Sequence, residues 1–156
     1  VYAVGRMKAG PERELASRFL DRFGKAGPSV GLDFAGMTEI PESRAASADE
    51  RRREEGQKLL ARRDGTTAVI LLDERGRNVG SEEFARSLAI YAEGGRKNLV
   101  LASGGPDGHD AALREEAELV LSFGRLTWPH QLVRVMLAEQ LYRAATILSG
   151  HPYHRG

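Results

Sequence analysis

The chain has 156 residues, 41% hydrophobic and 29% charged, which suits one soluble globular domain that buries roughly 70% of its unfolded surface. It contains no cysteine, which excludes disulfides and cysteine-based metal sites and fits a reducing, cytoplasmic setting. No apolar run approaches the roughly 20 residues of a membrane span, and Lys+Arg 23 against Asp+Glu 22 leaves a net charge of only +1, too little for binding nucleic acid through overall charge.

The chain opens at Val1 inside a predicted strand, not at Met, so a few residues are expected to precede it. No secretory signal is recognisable. A helix follows over 11–23, with Leu15, Phe19, Leu20 and Phe23 on one face and Gly24 as its stop. A weaker strand is expected over 32–40. Ser47 and Glu50 have the spacing of a capping box and open a charged helix reaching about Arg63. Its Arg51-Arg52-Arg53 run reads as a solvated face, with contact to RNA as the alternative.

The run 66–72 lacks polar alternation, as a central parallel strand buried on both faces does. Residues 73–76 then turn the chain out of the sheet. Ser81 is expected to cap a helix with Glu82 and Glu83 in its first turn, Phe84 and Leu88 on its inner face, and Gly94-Gly95 at its end. Further elements are a strand over 99–102, a short helix over 110–117, a strand over 119–123 and a long helix over 129–148 with Thr127 as its cap. Alternation of this kind implies one α/β domain with a mainly parallel sheet.

In such sheets ligands bind at the carboxyl ends of the strands. Three loops there have unusual composition: 72–76, the glycine-rich 103–108, and 124–130. By itself the second reads first as a tight strand-to-helix connection and only then as a ligand loop, because glycine permits close backbone approach in either role. It matches neither a Walker loop nor a dinucleotide fingerprint. His109, His130, His151 and His154 lack metal-ligand spacing, so no metal is expected. The last helix is apolar nearly all round, which suggests a subunit interface. The tail 150–156 reads either as a frayed terminus or as an aromatic and basic group that could hold a nucleobase.

Several motifs together resemble the ribosomal RNA large subunit methyltransferase H family. They are Leu-Asp-Glu-Arg-Gly (72–76) with Ser-Glu-Glu-Phe-Ala (81–85), Gly-Gly-Pro-Asp-Gly (104–108), Leu-Thr-Trp-Pro-His-Gln-Leu-Val-Arg-Val (126–135), Glu-Gln-Leu-Tyr-Arg-Ala (139–144) and Pro-Tyr-His-Arg (152–155). The start Ala-Val-Gly-Arg-Met-Lys-Ala-Gly-Pro-Glu (3–12) agrees as well. The resemblance implies a single SPOUT domain over 1–156, with helices on both faces of the sheet and a C-terminal trefoil knot over about 66–156. It implies S-adenosylmethionine as cofactor, held by Leu72, Gly104, Gly105, Phe123, Gly124, Arg125, Leu126, Thr127 and Trp128. It further implies methylation at N3 of a pseudouridine in large-subunit (23S) ribosomal RNA by a homodimer acting on the assembled ribosome, with Tyr153, His154 and Arg155 as the catalytic group. His154 or water is expected to take the proton that leaves the base, with His130 a weaker choice. The main alternative is a catalytically silent SPOUT-like protein that binds ribosomes. A small-molecule transferase is a third reading, but it leaves the aromatic and basic tail unexplained.

Overall fold

A computed structural model describes residues 1–156. The chain divides into two compact units: Val1–Arg6, Gly36–Asn78 and Arg96–His130 form the first, and Met7–Ala35, Val79–Gly95 and Gln131–Gly156 the second.

The first unit carries the whole sheet: β1 (Tyr2–Val4), β2 (Thr38–Ile40), β3 (Thr67–Arg77), β4 (Asn98–Ser103) and β5 (Leu119–Leu121), in the spatial order β2-β1-β4-β3-β5. Every pairing is parallel. Along β3, Val69 and Leu71 join a cluster with Tyr2, Val4, Ile40, Leu59, Ala102 and Leu113, which brings α2 (Ala48–Leu60) and α4 (Ala111–Glu116) onto that face. Ala68, Ile70 and Leu72 point the other way and are equally buried, so both faces of the strand are covered. The capping box at the start of α2 is present in both directions, with Glu50 N–H donating to Ser47 Oγ and Ser47 N–H donating to Glu50 Oε2, each at 3.2 Å.

The second unit contains α1 (Pro11–Ala26), α3 (Ser81–Glu93) and α5 (His130–Ser149) from its second residue onward. Phe19 meets Tyr142 with ring centroids 6.5 Å apart, and Arg22 stacks over both rings, so α1 packs against α5.

Several local expectations are corrected. Gly24 does not stop α1; the helix continues to Ala26, and Gly27 carries the chain into a 3₁₀ turn over Gly27–Val30. A Cβ on Gly27 would lie 2.1 Å from the Leu32 carbonyl oxygen, so the glycine is required there and not at 24. The strand expected over 32–40 shrinks to β2, the part that reaches a partner in β1. Ser81 is the first helical residue of α3, not its cap; Gly80 holds the cap position, and the Ser81 hydroxyl bonds Gln140 Oε1 at 2.8 Å instead. The last helix starts at His130, which leaves Thr127 outside the cap position. β3 runs on through the segment expected to turn out of the sheet, and β5 ends at Leu121.

Candidate functional site

β4, β3 and β5 are neighbours in the sheet, so the segments that follow Ser103, Leu72 and Leu121 leave the same carboxyl edge. The edge is not smooth. Leu121 is in register with both Leu72 and Arg77, which makes residues 73–76 an excursion in β3. The excursion wraps Ser122: its N–H donates to Arg77 O at 2.9 Å, and its carbonyl accepts from Asn78 Nδ2 at 3.2 Å. Its hydroxyl accepts from Gly124 N–H at 3.1 Å and lies 3.2 Å from Glu74 O. Gly76 passes so close to β5 that a Cβ there would sit 2.6 Å from Val120 O. Ser122 is not distinguishable in the sequence, because its partners Glu74 and Asn78 lie 48 and 44 positions away.

The glycine-rich loop leaves β4 as a tight turn, with Gly108 N–H donating to Gly105 O at 3.0 Å. Gly108 has φ of 80°, a backbone region that disfavours side chains. Gly104 and Gly105 are buried, and a Cβ on Gly105 would come within 3.1 Å of both Glu55 Oε2 and Val4. The arginine run on α2 is not the simple solvated face expected of it. Arg51 forks onto Asp107, Nε to Oδ2 at 2.6 Å and Nη2 to Oδ1 at 3.1 Å, while its Nη1 donates to Ala45 O at 3.0 Å. Arg52 donates to the Asp107 carbonyl at 3.3 Å and pairs with Asp49; only Arg53 is exposed. Glu55, one turn on, is buried and accepts the Ser43 N–H at 2.8 Å, and burial pushes its carboxyl above the ordinary carboxylate range. Its charge gave no sign of burial, because a glutamate in a helix reads as a surface residue.

Just beyond the loop, His109 is buried. Desolvation holds its pKa below the usual imidazole value, with the nearby Asp73 opposing the shift. Asp73 itself accepts the Arg75 N–H at 2.9 Å and lies 3.8 Å from Arg114 Nη1.

The third segment contrasts with the other two. Leu72, Gly104 and Gly105 are buried, Phe123 and Gly124 are half-buried, and Arg125, Leu126, Thr127 and Trp128 are exposed. Leu126 keeps 71% of its surface accessible and Trp128 39%, apolar area at the sheet edge suited to covering a flat aromatic ligand. Gly124, at φ of 117°, bends the chain out of β5 toward them.

In the second unit the tail is pinned, which removes the frayed-terminus reading for Tyr153 and His154. Glu139 on α5 accepts three donors on Oε1: Tyr153 OH at 3.0 Å, Arg143 Nε at 2.9 Å and Arg143 Nη2 at 2.6 Å. The Tyr153 ring lies 4.7 Å from the Tyr142 ring, with the Arg143 guanidinium 4.8 Å above its centroid. Burial first, then the bond to Glu139, raises the Tyr153 hydroxyl pKa. Arg143 Nη1 lies 3.1 Å from His154 Nδ1. A guanidinium only donates, so Nδ1 must accept, and neutral His154 carries its proton on Nε2, 3.7 Å from Glu82 Oε1. Arg155 is exposed. His130 begins α5 as an exposed residue.

A family model described as "Predicted SPOUT methyltransferase" matches residues 1–154. A protein of Mesorhizobium japonicum named ribosomal RNA large subunit methyltransferase H is 66% identical over 99% of this chain and 97% of its own length. Proteins of the same name from Brucella anthropi and Chelativorans sp. are 61% and 64% identical over 99% of this chain, covering 97% and 89% of their own lengths. A solved structure, the SpoU methyltransferase AviRb from Streptomyces viridochromogenes with AdoMet, aligns with 92% of this chain and 59% of its own at 11% identity and a TM-score of 0.39, a distant likeness.

Proposed function

The chain belongs to the SPOUT methyltransferase family, among the ribosomal RNA large subunit methyltransferase H proteins, and from that premise we propose that it methylates N3 of a pseudouridine in large-subunit ribosomal RNA with S-adenosylmethionine as donor. The observation that carries this reading is 66% identity, over 99% of this chain and 97% of the relative, to a protein named for that reaction class.

Leu72, Gly104, Gly105 and the segment from Phe123 through Gly124, Arg125, Leu126 and Thr127 to Trp128 form the cofactor cradle in this proposal. The fit rests on three adjacent strand ends, glycine backbone free of side chains, and exposed Leu126 and Trp128 able to cover an adenine ring. The sulfonium of the bound cofactor supplies an activated methyl group for in-line displacement. The protein's part is to hold donor and acceptor in line, which can lower a barrier by roughly 7–11 kcal/mol.

On the acceptor side we assign Tyr153, His154 and Arg155. The Tyr153 hydroxyl is committed to Glu139, so its ring is the part that positions the base. His154 has one nitrogen occupied by Arg143 and the other protonated, so it orients the base while water takes the N3 proton. Arg155, with its guanidinium at the surface, stabilises the negative charge left on the base.

The proposal also includes a homodimer that works on the assembled ribosome in the cytoplasm. Leu132 remains 39% exposed on α5, with Val133 and Met136 half-buried beside it, apolar surface that a second copy can cover. A near-neutral chain gains specificity by reading the shape of a preassembled particle. A single domain over 1–156 with a knot in its C-terminal part completes the reading.

The test is incubation with labelled S-adenosylmethionine and ribosomes lacking the modification, followed by mass spectrometry of the nucleosides. Methylated pseudouridine is expected, and Arg155→Ala should lower its yield about 10²-fold. An unmodified digest would reject the enzyme reading in favour of a silent ribosome-binding factor. Full activity in both Arg155→Ala and His154→Ala would remove the tail from the catalytic assignment.

A further inference from the structure

We propose that Arg51 is a positioning residue for S-adenosylmethionine binding: by forking onto Asp107 it locks the 104–108 loop in its binding-competent shape. This rests on the reading of that loop as part of the cofactor cradle.

The loop is Gly-Gly-Pro-Asp-Gly, and Asp107 carries its one polar side chain. Glycines lose more backbone freedom on ordering than any other residue, so a loop with three of them resists adopting one conformation unless it is tied down. Pro106 is exposed and contributes no burial. The Gly108 N–H to Gly105 O bond closes the turn, and side-chain anchorage falls to Asp107. Arg51 grips both of its carboxylate oxygens, at 2.6 and 3.1 Å, and Arg52 holds its carbonyl at 3.3 Å. Arg51 is itself held, because Nη1 donates to Ala45 O, in the segment just before the cap of α2. The fork thus connects a helix with its own capping box to a loop lacking other side-chain anchors. Two parallel charge-assisted bonds fix orientation as well as distance, which a single ammonium contact does not.

The pair is partly exposed, with side-chain accessibilities of 30% and 24%, so it contributes little to global stability. Its effect is local: it raises the fraction of molecules whose loop is ready for the cofactor. Apparent affinity falls in proportion to that fraction.

Calorimetric titration of the full chain with S-adenosylmethionine tests this. Arg51→Ala and Asp107→Ala should each raise Kd about fivefold to tenfold, while the melting temperature changes little. The double variant should bind no more weakly than either single one, because each substitution already removes the same fork. Arg51→Lys should fall between, since a lysine reaches one oxygen at a time. In the methylation assay KM for the cofactor should rise, with kcat preserved at saturation. A purely structural role would instead lower the active fraction and leave Kd unchanged. Unchanged Kd in Arg51→Ala, or single effects that sum in the double variant, would overturn the inference alone. Failure of the unaltered protein to bind S-adenosylmethionine would overturn the cofactor reading and this inference together.

Discussion

Where β3 passes β5 at the carboxyl edge of the sheet, position is set by backbone: Gly76 slides past Val120 with no room for a Cβ, and Ser122 bonds main-chain groups of Glu74, Arg77 and Gly124. In the C-terminal tail, position is set by side chains: Glu139 gathers Tyr153 and Arg143, and Arg143 holds His154. Backbone complementarity tolerates no added atom, so the first region should fail abruptly when altered. Side-chain bonds of about 1–3 kcal/mol each come apart one at a time, so the second should fail by degrees.

The sharpest break of that contrast is Gly76→Ala, which puts a methyl group 2.6 Å from a main-chain oxygen. A destabilisation of about 3 kcal/mol or more is expected in denaturant titration. A cost under about 1 kcal/mol would show that the excursion in β3 can open, and the contrast would lapse. Next in size is Glu139→Ala, which releases the tail without unfolding the chain. Amide exchange at residues 153–156 should accelerate about tenfold, and the melting temperature should drop by about 2–4 °C. Unchanged exchange would mean that ring packing on Tyr142, not Glu139, holds Tyr153.

Smallest is Glu55→Gln, which separates charge from packing behind the glycine loop. The folded-state pKa of Glu55 is raised by burial, so its neutral form suits the fold. Its contribution is full below the ordinary carboxyl value of 4.5 and is lost as pH rises through the higher folded-state pKa. The glutamine keeps an acceptor for Ser43 N–H and carries no charge at any pH. The variant should therefore melt higher than the unaltered protein at about pH 8, with the two curves converging below about pH 4. Equal melting temperatures across that range would place the Glu55 charge in water.

Much of this arrangement is legible before any coordinates. The uninterrupted apolar run of β3 reads as a buried parallel strand, Ser47 and Glu50 read as a cap, and the composition of the three strand-end segments marks the candidate site. These signals are local: a period, a spacing of three residues, or a cluster of glycines determines them within one element. The relation between elements is written elsewhere. Arg51 and Asp107 are separated by 56 positions, Ser122 and Glu74 by 48, and Glu139 and Tyr153 by 14 with a helix end between them. An arginine run looks solvated until a carboxylate is folded onto it, and a glutamate looks exposed until a sheet covers it. The same limit bears on the misplaced helix stop, since a Cβ would meet nothing at Gly24 but the Leu32 carbonyl at Gly27. The sequence by itself determined the order and type of the main elements, the motifs and the family. Which charges are buried and paired, which glycine must stay bare and what holds the tail were decided by tertiary structure alone, because each depends on a neighbour that only the completed topology brings within bonding distance.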